Sequence, residues 1–126
     1  MFGFFNIRKP AGPTSHDLVA QLRRKLPRKT KVGHAGTLDP FAEGVLVLCA
    51  GPATRLASYV QQQPKRYRAR ITLGATSTTD DSQGEIRSSP FHSAPDEKRI
   101  REVISTFLGD VWQIPPAHSA VHIHGQ

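Results

Sequence analysis

Gly33-His34-Ala35-Gly36-Thr37-Leu38-Asp39-Pro40 sets a single carboxylate among small and rigid residues, and the rest of the chain reads as a frame around it. Gly33 and Gly36 admit backbone angles closed to other residues, while Pro40 fixes its own φ and pushes Asp39 out of the helical region. The stretch is expected to hold Asp39 in one extended pose. On local composition alone an ordinary tight connection reads as well, because Gly, Asp and Pro are turn residues.

Immediately downstream, Gly44-Val45-Leu46-Val47-Leu48-Cys49-Ala50-Gly51 is short, apolar and bounded by glycines, as expected of a strand buried on both faces. Asp39 would then sit at a strand entrance. Upstream, Leu18, Val19, Leu22 and Leu26 mark one face of a helix whose other side carries Gln21, Arg23, Arg24 and Lys25. Thr14 or Ser15 can cap that helix, Asp17 suits its first turn, and Pro27 ends it. Phe2 to Ile7 is aromatic and β-prone and is expected to form a buried strand, stopped by Lys9-Pro10-Ala11-Gly12-Pro13.

Beyond the apolar strand, Pro52 to Val60 reads as a short helix. Lys65 to Leu73 alternates, with Tyr67, Ala69, Ile71 and Leu73 on one face and Arg66, Arg68, Arg70 and Thr72 on the other, which predicts a strand with Tyr67 facing inward. Asp80-Asp81-Ser82-Gln83-Gly84 is a turn into a brief strand around Ile86, and a polar loop covers Ser88 to Pro95. Asp96 can cap a helix along Ile100, Val103, Ile104 and Phe107, with Gly109 as its terminator. Val111 to Ile114 and Ser119 to Ile123 look like strands parted by Pro115-Pro116. The mixture points to an α+β fold on a largely antiparallel sheet flanked by helices.

At 126 residues the chain is sized for one compact unit. Seventeen Lys and Arg against ten Asp and Glu leave a formal charge of +7, which favours a polyanionic partner. The excess is uneven. From Arg8 to Lys31 there are eight basic residues (Arg8, Lys9, Arg23, Arg24, Lys25, Arg28, Lys29 and Lys31) and one acid, Asp17. This run reads as a phosphate-facing patch, with a solvated helix face as the plainer alternative. Cys49 is the only cysteine, so an internal disulfide and a four-cysteine zinc site are excluded and a reducing, cytoplasmic setting fits. The apolar N-terminus meets Arg8 and Lys9 too soon for a signal core or a membrane span.

The Gly33–Pro40 segment closely resembles the signature of the TruB family of tRNA pseudouridine synthases. Four more stretches fit that family in order: Asn6 to Asp17, then Lys65-Arg66-Tyr67-Arg68, Leu73-Gly74, and Ile114 to Val121. Five short motifs at plausible spacing are far more specific than one. The resemblance implies the pseudouridine synthase catalytic fold and isomerisation of a uridine in the T-loop of tRNA, without cofactor or metal and without an obligate protein partner. It implies Asp39 as the catalytic carboxylate. Tyr67 would pack on the target base and His34 would contact the remodelled RNA loop, with Thr37, Leu38, Lys65 and Arg66 as further substrate contacts. Lys9 and Pro10 would support the catalytic loop rather than take part in chemistry.

The chain departs from the family pattern as well. His118 and His122 stand where an aromatic and a lysine are common around the Ser-Ala pair, and Thr78 replaces an acidic residue. Family members are much longer, and the arginine that pairs with the catalytic aspartate, like the PUA domain, has no counterpart before Gln126. Residues 1–126 are therefore expected to be the N-terminal portion of a catalytic domain. Two other readings remain on the sequence: a non-catalytic RNA-binding fragment, and metal binding by His118, His122 and His124 at even strand spacing.

Overall fold

A computed structural model describes residues 2–89 and 93–113. The chain divides into two units, Met1–Tyr67 and Arg68–Gln126. The first holds a three-stranded antiparallel sheet in the order β1-β3-β2, built from β1 (Gly3–Lys9), β2 (Val32–His34) and β3 (Gly44–Ala50). The apolar run 44–51 thus becomes the central strand. It pairs from Gly3↔Ala50 to Lys9↔Gly44 on one edge and from Val32↔Ala50 to His34↔Leu48 on the other.

Alternation along β3 splits its side chains between two cores. Leu46, Leu48 and Ala50 face α1 (Ser15–Lys25) and pack with its Leu18 and Val19, with Phe5, Ile7, Leu22, Leu26 and Leu38 closing around them. Val47 and Cys49 face the other way, toward Ala53 in a 3-10 turn (Gly51–Leu56) and toward Ala57 and Val60 of the short α2 (Ala57–Gln61). Burial on both faces explains why this strand reads as a continuous apolar run rather than an alternating one. Val45 is its exception, exposed beyond the cover of either helix. β1 is half-buried rather than buried: Phe5 and Ile7 face α1, whereas Phe2 and Phe4 are exposed.

α1 begins where its capping residues require. Thr14 Oγ1 accepts from the Asp17 backbone N–H at 3.1 Å, and the Asp17 carboxylate accepts from the Thr14 N–H at 2.8 Å, forming a capping box. Thr14 is therefore the cap, which leaves the Ser15 hydroxyl for another partner.

The second unit contains a two-stranded antiparallel hairpin, β4 (Ala75–Ser77) with β5 (Ile86–Ser88), and α3 (Glu97–Ser105), which Asp96 caps through a bond from the Arg99 N–H at 2.7 Å. The turn expected at 80–84 and the helix expected after Asp96 are both present. Residues 65–73 differ from expectation. They form no strand, and Tyr67, Ile71 and Leu73 are all exposed. Alternation alone does not make a strand; the backbone needs a neighbour to bond, and no strand among the described residues pairs with this segment. Val111 to Gln113 is likewise irregular, and the strand expected over Ser119 to Ile123 lies outside the described residues. The architecture is α+β with antiparallel sheets.

Candidate active site

The loop from Ala35 to Glu43 links the edge strand β2 to the central strand β3. It leaves β2 in register, since the Ala35 N–H donates to the Val47 carbonyl at 2.8 Å. Gly36 then takes φ 134°, a region that L side chains rarely adopt, and breaks the strand. Gly33, expected to share that role, instead has ordinary strand geometry opposite Cys49.

Asp39 is held by its neighbours' backbones. On its N-terminal side the buried Ser15 hydroxyl meets both backbone groups of Leu38 at 3.0 Å, accepting from the N–H and donating to the C=O. On its C-terminal side the Gly12 N–H donates to the Pro40 carbonyl at 2.8 Å. Asp39 itself opens a tight turn in which its carbonyl accepts from the Ala42 N–H at 3.0 Å, with Pro40 in the second position, where its fixed φ fits.

Lys9 completes the clamp from β1. Its side chain is 0 % exposed, and Nζ donates to the carbonyls of Ala42 at 2.7 Å, Pro40 at 3.0 Å and Pro10 at 3.1 Å. All three ammonium donors are used, which is what makes burial of a lysine tolerable. The expectation that Lys9 supports the loop rather than the chemistry agrees with this geometry. With backbone contacts on both sides, the Asp39 carboxylate is exposed and has no hydrogen bond or ion pair among the described residues. A fixed Cα with an open carboxylate suits a group that acts on something brought to it.

The other expected site residues are placed as follows. Thr37 is exposed beside Asp39, while Leu38 turns its side chain into the α1 core and anchors the loop. His34 is half-buried at the end of β2, and its Nδ1 is buried without a hydrogen-bond partner among the described residues. Lys65 donates to the Gln61 and Gln63 carbonyls at the end of α2. Arg66 and Tyr67 follow on the irregular segment, and Tyr67 is 69 % exposed rather than turned inward. No hydrogen bond among the described residues joins 65–67 to the Asp39 loop. The motif Ile114 to Val121 and the histidine set His118, His122 and His124 lie outside the described residues; among those described, no group of His, Cys, Asp and Glu is arranged to hold a metal. No described helix is long and apolar enough to cross a membrane.

Ser15 and Gly12 also hold the backbone around Asp39, beyond the residues expected there. The signal was present in the adjacent Thr14-Ser15 pair: one hydroxyl caps α1, so the other is spare, and a buried spare hydroxyl must find partners.

Comparison with known proteins places the chain in a family. The model described as TruB family pseudouridylate synthase (N terminal domain) matches residues 23–126. Over its whole length the chain is 50% identical to a protein named tRNA pseudouridine synthase B from Alkaliphilus oremlandii, covering 42% of that relative. It is similarly 50% identical to one from Thermosipho melanesiensis, covering 41%, and 47% identical to one from Synechocystis sp., covering 42%. The chain thus spans less than half the length of the curated relatives it matches.

Proposed function

Because the chain belongs to the TruB family of pseudouridylate synthases, we propose that the protein isomerises a uridine in the T-loop of tRNA to pseudouridine, with Asp39 as the carboxylate that acts on the nucleotide. The observation that carries this reading is the asymmetry of restraint at Asp39: Ser15, Gly12 and Lys9 fix the backbone on either side, and the carboxylate is left open.

The reaction breaks the bond from ribose C1′ to uracil N1, turns the base, and joins C1′ to C5. C5 then loses its proton and N1 gains one, so the sum of atoms is unchanged and no electron donor is needed. A carboxylate serves this in one of two ways: as a nucleophile that forms a covalent adduct, or as a base that removes a proton from the sugar. Both need an ionised oxygen free of internal partners and within reach of one sugar carbon. Rigid support makes that reach reproducible.

A uridine inside a folded loop must leave its stack, and an extruded base needs a flat apolar surface. The exposed ring of Tyr67 is such a surface, and its exposure fits stacking better than a core role. His34, half-buried at the end of β2, is assigned a contact to the displaced RNA through the part of its ring other than the buried Nδ1, and Thr37, Lys65 and Arg66 are exposed and assigned further contacts.

The test is single-turnover pseudouridine formation in a T-loop RNA. Asp39→Asn keeps the side-chain shape and removes both the nucleophile and the base, so the rate falls by several orders of magnitude while RNA affinity stays within a few-fold. An Asn variant that retains the parent rate removes Asp39 from the chemistry.

A further inference from the structure

The C-terminal turn of α1 and the segment after it form an open groove of about 680 Å³ lined by Arg23, Arg24, Arg28, Lys29 and Lys31, with Thr54 and the start of β2 behind them. Among the described residues, no acid lines it. The side chains of Arg24, Arg28, Lys29 and Lys31 have no hydrogen-bond or ion-pair partner among the described residues, whereas Arg23 is drawn to the Val32 carbonyl at 3.4 Å and braces the wall.

Helix physics explains part of this cluster. Cations in the last turn suit the negative end of the α1 dipole, which accounts for Arg23, Arg24 and Lys25. It does not account for Arg28, Lys29 and Lys31, which lie beyond the helix. Lys29 is the most telling of them. The Thr30 N–H donates to the Pro27 carbonyl at 3.1 Å, closing a turn in which Lys29 has φ 70°. That left-handed conformation favours glycine or asparagine and costs other residues about 1 kcal/mol or more. A lysine kept there against its backbone preference points to a use for its charge.

The basic side of the groove lies away from Asp39, although its lining reaches Gly33, the neighbour of His34. Lys9, which clamps the loop, pairs with Gly44 at one end of β3, while the groove residue Val32 pairs with Ala50 at the other. Seven strand residues at about 3.3 Å each separate the two ends by roughly 20 Å. α1 gives a second ruler: Ser15 in its first turn holds Leu38, and Arg23 and Arg24 in its last turn line the groove, about 12–14 Å further along the helix axis. A nucleotide seated at Asp39 cannot fill a groove at that distance.

We propose that this groove is a second RNA-contact site, which grips phosphodiester backbone roughly 12–20 Å from the target uridine and contributes affinity without reading bases or taking part in the chemistry. The inference rests on the RNA substrate proposed above. Clustered unpaired Arg and Lys with no acid among them bind phosphate non-specifically and give each contact a measurable share of salt dependence.

The experiment measures Kd for an in vitro-transcribed tRNA, and for a short T-loop hairpin extending less than about 12 Å from the target uridine, as a function of KCl concentration. The parent is compared with Arg24→Gln/Arg28→Gln/Lys29→Gly. Loss of three phosphate contacts should reduce the slope of log Kd against log salt for tRNA by about 2–3. The hairpin slope and the single-turnover rate at saturating tRNA should stay unchanged. Lys29→Gly alone relieves the turn, so its Tm should hold or rise while tRNA binding weakens, which separates lost contact from lost folding. An unchanged tRNA slope overturns the proposal, and so does an equal loss for the short hairpin. If the slopes separate as expected but neither protein converts uridine, the groove stands and the proposed activity falls.

Discussion

One hydroxyl, that of Ser15, satisfies both the N–H and the C=O of Leu38, the residue that precedes Asp39. Ser15→Ala removes both bonds at once and leaves two backbone groups unpaired in a partly buried site. The expected loss is about 1–3 kcal/mol of stability, read from the urea midpoint. The single-turnover rate should fall as well, because the Asp39 backbone loses its N-terminal tether, while RNA affinity changes little. A rate loss no greater than the affinity loss would show that the tether does not matter to the chemistry.

Lys9→Met preserves much of the side-chain volume but withdraws all three donors from the carbonyls of Pro10, Pro40 and Ala42. Pro40 still accepts from Gly12, so two carbonyls are orphaned. At roughly 1–3 kcal/mol for each part-buried carbonyl left unpaired, the fold should lose about 2–6 kcal/mol. Chemical denaturation measures the loss, and a variant as stable as the parent would contradict the clamp.

The Asp17 carboxyl is held below its ordinary value of 3.8, first by the Thr14 hydroxyl and then by the Thr14 N–H. Its folded pKa is lower than its unfolded one, so the unfolded chain binds more protons on acidification. The stabilisation is complete above the ordinary value and is lost as the pH falls below it toward the depressed folded value. Thr14→Ala should cost about 1 kcal/mol at neutral pH through the lost cap. It should also flatten the acid limb of the stability profile, and an acid limb identical to the parent's would refute the assignment.

Burial pushes the Cys49 thiol up, and its side chain is 0 % exposed between β3 and the 3-10 turn. A thiolate is required for alkylation. Iodoacetamide should therefore label the folded protein far more slowly than the urea-unfolded one. Equal rates would mean that the second core opens readily.

Much of this fold was readable from local pattern. The β3 run, the α1 stripe Leu18, Val19, Leu22 and Leu26, and the Asp96 cap of α3 each carry their signal within a few neighbouring residues. Asp39 and the supporting role of Lys9 came from the family resemblance, not from period or composition. β2 was hidden because three residues containing a glycine give no alternation to read, and only pairing with β3 makes them a strand. Tyr67 failed in the opposite direction: its segment alternates cleanly, yet no strand among the described residues pairs with it. The Ser15–Leu38 bond was illegible for a third reason, since a side-chain contact across 23 residues leaves no trace in spacing.

The tethers on Asp39 come from far along the chain, with Lys9 reaching Pro40 and Ala42 across 31 and 33 residues. Releasing all of them requires β1 to give up Lys9 and α1 to give up Ser15, two elements packed into the same core. The Leu38 amide, although it belongs to a loop, should therefore exchange its hydrogen only on the timescale at which the whole first unit opens, together with the amides of β3. The position of the carboxylate is then as durable as the core itself, and any condition that loosens the core also takes the site apart.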